Sequence, residues 1–280
     1  MKIYLTLWYK DFRKRDLVEE VVSGGFNGFE LSLDYPLCGY MKIEQLSLIK
    51  DLLKSGLEVS VHLPWREIYL ASPIEEIRKS SLEYVARCFT EALPLNPTYA
   101  VLHLTADQAV CSDNEDLCIS SAISSLEVLV EVAEKYGIPL YVETTRNYCC
   151  GGLEHSVKYL ERGVKLCLDI PHAIERYSRL LKKPAGLSEV VMDAPPAALE
   201  AVECVHFHGY SMSSYYVLES HIEPTRELLG EYIEILKSGM LKPKYTVLES
   251  FFSSATRRQI RFSDLRWCVD ELKKNYSRSR

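Results

Sequence analysis

The chain has 280 residues, 47% of them hydrophobic, enough to bury one large core and within the size range of a single eight-stranded barrel. Its formal charge of −6 argues against a generally basic nucleic-acid binder, yet it leaves room for a carboxylate-rich site that turns positive once metal ions load. No run of about eighteen apolar residues occurs and the opening Met1–Trp8 run lacks the features of a signal peptide, so the sequence predicts neither a transmembrane helix nor export, but a cytoplasmic protein.

In chain order, the first strand-like run is Ile3–Leu7, followed by helical period over 11–23. Gly28–Leu33 reads as the second strand and 42–55 as the next helix, then Leu57–His62 and 73–92, Tyr99–His103 and 115–136. The pattern continues with Pro139–Glu143 and 153–162, Val164–Asp169 and 172–183, Cys204–His208 and 224–238, and finally Tyr245–Glu249 and 262–275. Segment 184–203, with Pro184, Pro195 and Pro196, reads as a loop with a short helix. Strands rich in Val, Ile, Leu and Tyr alternating with helices indicate a parallel sheet, and eight such units favour closure into a (β/α)8 barrel spanning 1–280 as one domain. No GxGxxG or P-loop follows the first strand to support an open sheet instead.

Nine cysteines, an odd and scattered set without a CxxC, do not suggest a disulfide framework or a thiolate metal site. Cys88, Cys167 and Cys204 sit in apolar patterns and read as small core residues, whereas Cys149-Cys150 falls in a loop.

Six of the seven histidines lie at or just past a predicted strand end. His62 ends strand three and His103 strand four; Glu143 ends strand five; Asp169, with His172 three residues on, ends strand six. Strand seven carries His206 and His208, its loop carries Glu219 and His221, and strand eight ends in Glu249. In a parallel barrel these ends converge on one rim, where charged groups are costly unless paired or metal-bound. Imidazole and carboxylate donors without thiolate suit Zn2+, Mn2+ or Fe, and the donors are too many for one ion. A cluster of two or three ions is therefore expected.

Only one of His206 and His208 is expected to ligate; the other supports it or meets substrate. His155, early in a helix, reads as surface. Glu30 is a candidate substrate contact or else a solvated or Arg-paired carboxylate. Trp65 is placed to stack on a base or sugar or to pack beneath its loop. Arg66 and Arg146 are placed to meet a phosphate or to form rim salt bridges.

Together these motifs resemble the xylose-isomerase-like TIM barrels and, within them, the endonuclease IV (AP endonuclease family 2) branch. The resemblance runs nearly end to end. It rests on His62-Leu-Pro-Trp-Arg-Glu-Ile-Tyr-Leu-Ala-Ser-Pro73, on Asp169-Ile-Pro-His172-Ala, and on His206 followed by Glu219-Ser-His221. It implies a three-zinc site: His62, His103 and Glu143 on the first ion; Glu143, Asp169, His206 and Glu249 on the second; His172, Glu219 and His221 on the third. The implied activity is hydrolysis of the phosphodiester 5′ to an abasic site in DNA. The sugar isomerase and epimerase branch implies instead one ion held by Glu143, Asp169, His206 and Glu249, with Glu143 and Glu249 exchanging protons at a carbon of a sugar or sugar phosphate. Glu143 and Glu249 are the expected catalytic carboxylates. No membrane and no obligate protein partner is implied. The loops depart from the repair enzymes: Leu104-Thr105 follows His103 where they have Pro-Gly, Ile222-Glu223-Pro224 follows His221, Gly209 stands where they often have Asp, and Glu219 replaces an Asp.

Overall fold

The computed structural model describes residues 1–276. Eight parallel strands close into a barrel: β1 (Lys2–Leu7), β2 (Gly28–Ser32), β3 (Glu58–His62), β4 (Ala100–Leu102), β5 (Leu140–Glu143), β6 (Lys165–Asp169), β7 (Val202–Phe207) and, after a two-stranded hairpin of β8 (Gly209–Ser213) and β9 (Tyr216–Ile222), β10 (Tyr245–Leu248). The helices around it are α1 (Leu17–Ser23), a distorted turn α2 (Leu37–Tyr40), α3 (Ile43–Lys54), α4 (Glu75–Ala92), α5 (Gln108–Asp113), α6 (Glu115–Tyr136), α7 (Leu153–Leu160), α8 (Ile170–Leu181), α9 (Leu187–Asp193), α10 (Pro196–Ala201), α11 (Arg226–Ser238) and α12 (Arg266–Tyr276). No helix among the described residues is long and apolar enough to cross a membrane.

Local chemistry explains the main elements. In α4, Glu75 and Glu76 stand in the first turn, where the helix dipole favours negative charge, and Ser81, Val85, Cys88, Phe89 and Ala92 form the buried stripe at helical spacing. The Thr225 hydroxyl accepts the Leu228 N–H and starts α11. α6 stops at Gly137, whose φ of 66° is left-handed. Gly28 is required for another reason: a Cβ there would meet the Glu58 carbonyl at 2.5 Å and the Tyr4 ring at 2.7 Å.

The buried apolar residues form two separate clusters. The larger lies between strands and helices; the smaller, Tyr4, Tyr99, Val101, Tyr141, Cys167, Cys204 and Val247, fills the inside of the barrel. Strand alternation follows from this. The parity that points Tyr4, Tyr99, Tyr141, Cys167, Cys204 and Val247 inward also points Glu30, His62, His103, Glu143, Asp169, His206 and Glu249 inward. The lower interior is aromatic, with Tyr99 stacked 4.9 Å from Tyr141 and tilted 4.6 Å from Tyr245, and the upper interior is ionisable.

The barrel agrees with the sequence reading, and the differences are local. Segment 184–203 holds two short helices, α9 and α10, and α5 occupies what read as loop. The expected helix over 11–23 begins as a 3-10 turn at Asp11–Arg13 before α1, and the expected 262–275 helix begins as one at Phe262–Leu265 before α12. The cysteines correct a second expectation: Cys38–Cys88 ties α2 to α4, and Cys111–Cys149 ties the segment after β4 to the segment after β5. Both pairings join elements far apart in sequence, so spacing alone does not reveal them. Cys167 and Cys204 are free and buried, as expected of small core residues.

Candidate metal centre

The site is built around the carboxylate of Glu143 at the end of β5. Its Oε2 lies 3.0 Å from Nε2 of His62 and 3.1 Å from Nδ1 of His206, and its Oε1 lies 3.1 Å from Nε2 of His103. Three strands thus direct imidazoles at one buried carboxylate. The His62 ring is oriented by its other nitrogen, Nδ1–H donating to the Leu63 carbonyl at 2.8 Å, which leaves Nε2 free toward Glu143.

The Asp169-x-x-His172 spacing has a direct cause. Asp169 caps α8, its Oδ1 accepting the His172 N–H at 2.8 Å, and Pro171 fits the first helical turn. The cap leaves Oδ2 facing the centre, 3.2 Å from Nε2 of His208 and 3.5 Å from Nδ1 of His172. Glu249, just past β10, brings Oε2 to 3.4 Å from Nδ1 of His206 and 3.7 Å from Nδ1 of His221. His221 has a φ of 57°, a left-handed backbone rare outside glycine; this turn brings its ring to 4.1 Å from that of His208.

These buried groups hold one another's protons. Burial opposes ionisation of Glu143, but His103 and His206 outweigh it and keep the carboxyl well below its usual range. Burial likewise opposes the charge on His62, yet Glu143 pushes it up to about 9. Asp169 is held below the carboxylate range against burial by His172 and His208, and Glu249 is held to about 2 against burial by His221 and His206. His221 goes the other way, to about 3, because burial and the neighbouring His208 both disfavour its charge.

A cleft of about 560 Å³ opens above the donors. Trp65, 38% exposed, sets its ring 5.4 Å from that of His103. Arg66 stacks on Trp65 at 4.6 Å and on Trp8 at 5.0 Å, and its guanidinium pairs with buried Asp34 at 2.9 Å. Arg146 faces the cleft from the other side, donating to Nε2 of His172 at 3.2 Å, with Glu175 at 3.6 Å. Trp8 and Asp34 were not anticipated from the sequence. Trp8 was findable, since it continues the inward parity of Tyr4 and Thr6.

Four expectations change. Glu30 is wholly buried beneath His206, with Oε1 3.0 Å from Nε2, so it does not line the cleft where a substrate contact was expected. Glu219 pairs with Arg257 and with Ser211 across the hairpin, whereas the imidazoles that converge beside Asp169 are those of His172, His208 and His221. The left-handed turn at His221 separates it from Glu219 in direction, and His208 takes the expected place; both His206 and His208 therefore reach the centre. His155 is buried rather than surface, with Nε2 2.9 Å from Glu115.

Divalent ions fit this arrangement. The ring nitrogens His103 Nε2, His172 Nδ1 and both of His206 are buried beside carboxylates at 3.0–3.5 Å yet make no well-aligned hydrogen bond, an expensive state for polar atoms that a metal would relieve. The groups whose ligand atoms lie within 4.8 Å of one another include His62–His103–Glu143, Glu143–Asp169–His206 and His172–His208–His221. Nitrogen and carboxylate donors of this kind suit zinc or manganese.

Comparison with known proteins places this geometry. The family model described as xylose isomerase-like TIM barrel matches residues 18–230. An uncharacterized protein of Methanocaldococcus jannaschii, MJ1311, is 24% identical over 132 residues, covering 47% of this chain and 44% of its own. The chain spans about half the length of the curated relatives it matches. Among solved structures, a D-tagatose 3-epimerase-like protein superposes with a TM-score of 0.70 at 18% identity, covering 100% of this chain and 98% of that one. Endonuclease IV from Thermus thermophilus superposes with a TM-score of 0.62 at 16% identity, covering 99% and 100%. At these identities the likeness shows the fold.

Proposed function

The chain belongs to the xylose isomerase-like TIM barrel family, and on that premise we propose that it is a metal-dependent hydrolase whose two or three divalent ions, zinc first among them, act on the phosphodiester 5′ to an abasic site in DNA. The observation that carries this reading is Glu143, whose two oxygens face His62 and His206 on one side and His103 on the other. A single-ion sugar isomerase would leave His62 and His103 without a role, whereas a bridging carboxylate between two ions uses them both. His62, His103 and Glu143 would hold one ion, Glu143, Asp169, His206 and Glu249 a second, and His172, His208 and His221 a third. Ions held there supply Lewis acidity and make water nucleophilic near neutral pH.

The chain's own residues do the rest. Arg66 and Arg146 offer fixed guanidinium charge to a phosphate, and Trp65 and Trp8 offer ring faces to whatever flanks it. Glu249, at the cleft, would take the proton of the water that attacks phosphorus, and the 3′-oxygen that leaves as its bond to phosphorus breaks would take a proton from solvent. A second reading, epimerisation of a sugar or sugar phosphate, is favoured by one observation. Glu143 and Glu249 stand 3.1 and 3.4 Å from the same nitrogen of His206, a carboxylate pair suited to exchanging a proton at one carbon.

Metals per chain, counted by elemental analysis, and a gel assay with a duplex carrying a tetrahydrofuran abasic analogue test the first reading. Two or three ions and incision 5′ to the analogue are expected. One ion, an intact duplex, and interconversion of D-fructose with its C3 epimer would replace it with the second.

A further inference from the structure

Under the donor cluster lies a carboxylate that the proposed chemistry does not use. Glu30 stands in the middle of β2, opposite Thr6 of β1 and Ser60 of β3, is wholly buried, and neither of its oxygens makes a well-aligned hydrogen bond. Its Oε1 lies 3.0 Å from Nε2 of His206. That contact reaches across the inside of the barrel, since β1 and β10 separate β2 from β7 in the strand order. The opposite ring nitrogen, Nδ1, lies 3.1 Å from Glu143 and 3.4 Å from Glu249. One imidazole is therefore suspended between a carboxylate below and the donor cluster above.

We infer that Glu30 is a positioning residue: it keeps a proton on Nε2 of His206, so that Nδ1 presents its lone pair to the ion shared by Glu143 and Glu249. The inference rests on the metal-centre reading above and adds which ring nitrogen ligates and what selects it. A neutral imidazole carries its proton on either nitrogen, and only the bare one binds metal; a carboxylate accepting from one N–H selects the tautomer, fixes the ring plane and raises the basicity of the other nitrogen. The thiols of Cys167 and Cys204 also lie near this ring, but a thiol is a far weaker acceptor than a carboxylate. No solvent reaches Glu30, so a part in substrate binding does not account for an acid at this depth. An acid there without a cationic or N–H partner would be strongly disfavoured.

Two measurements test this. In wild-type protein loaded with zinc and labelled with 15N at histidine, a two-bond 1H–15N correlation spectrum is expected to show His206 protonated at Nε2 and metal-bound at Nδ1. In a chelator-competition titration, Glu30→Gln, which keeps the shape but loses the charge, is expected to weaken zinc binding roughly 10- to 100-fold, and Glu30→Asp to recover part of that loss. Metal-free melting of Glu30→Gln at or above that of wild type would exclude a purely structural role, since such a role predicts a lower one. Zinc bound through Nε2 of His206, or equal affinity in wild type and Glu30→Gln, would overturn this inference while leaving the metal centre standing. Wild-type protein that takes up no zinc would remove both. The wild-type spectrum decides the matter even if the variants do not fold.

Discussion

Glutamine in place of Glu143 keeps the side chain's shape and removes its charge at the point where three imidazoles meet. The structure sets the scale of the effect. Oε2 faces His62 and His206 and Oε1 faces His103, all within 3.1 Å, so one residue serves two donor sets. Structural zinc sites with four ligands are bound by about 10–16 kcal/mol, or roughly 3–4 kcal/mol per ligand. Each lost ligand then raises Kd by roughly 100- to 1000-fold. Glu143→Gln is expected to incur that loss twice, once in each set, whereas His103→Ala incurs it once. The assay is zinc per chain by elemental analysis after equilibration at fixed free zinc, with chelator competition to resolve the individual constants. If Glu143→Gln weakens a single site and retains as many ions as His103→Ala, Glu143 is not shared and the bridging argument fails.

Other consequences can be measured more simply. Stripping the ions with a chelator is expected to lower stability by about 4 kcal/mol for each site that had been held at a free-metal concentration 1,000-fold above its Kd, read as a fall in melting temperature that added zinc reverses. A midpoint indifferent to chelator would contradict the site. His155 gives a pH dependence away from the centre. Burial, with Arg176 beside it, outweighs Glu154 and Glu115 and lowers its folded pKa below 6.5. Below pH 6.5 the unfolded chain therefore binds a proton that the folded protein does not, so stability falls with pH from there down to the folded pKa and then levels. His155→Gln is expected to flatten this limb in urea unfolding series, and an unchanged slope would sink the assignment. Loss of Cys38–Cys88, which closes a 50-residue separation, is expected to cost about 4 kcal/mol, lowering the calorimetric midpoint of a Cys38→Ser/Cys88→Ser variant by on the order of 10 °C relative to oxidised wild type, and an unchanged midpoint would refute the bond's role; reductant still acts on that variant through Cys111–Cys149.

The barrel was readable because hydrophobic period switches cleanly between strand and helix eight times, and the convergence of the strand-end histidines and carboxylates was readable because parallel strands must bring their C-terminal ends together. What could not be read was direction within loops. Glu219 and His221 are two residues apart, which in a regular strand would put them on one face; the left-handed backbone at His221 breaks that rule, and nothing in its composition announces it. Glu30 was misplaced for a different reason. As a substrate contact or a solvated carboxylate it would have to stand at the rim, but β2 runs on to Ser32, and alternation along the strand puts the acid inside the barrel below the rim. Trp8 likewise follows the inward parity of β1. The disulfides stayed hidden because each depends on how a loop lies against a helix, a matter of tertiary packing.

The tyrosine layer below the site has a consequence for exchange kinetics. Tyr4, Tyr99 and Tyr141 are at most 1% exposed, and two of their hydroxyls are held by carboxylates, Tyr4 by Glu58 and Tyr141 by Glu203 at 3.0 Å. Among the described residues this layer closes the barrel interior below the site. If the donors hold ions as proposed, ions and water would arrive and depart through the mouth framed by Trp65, Arg66 and Arg146, and the rate at which a chelator draws metal out would be set by that rim and not by the floor. Narrowing or widening the rim changes how long an ion resides, even where the donors, and the equilibrium affinity they confer, stay the same.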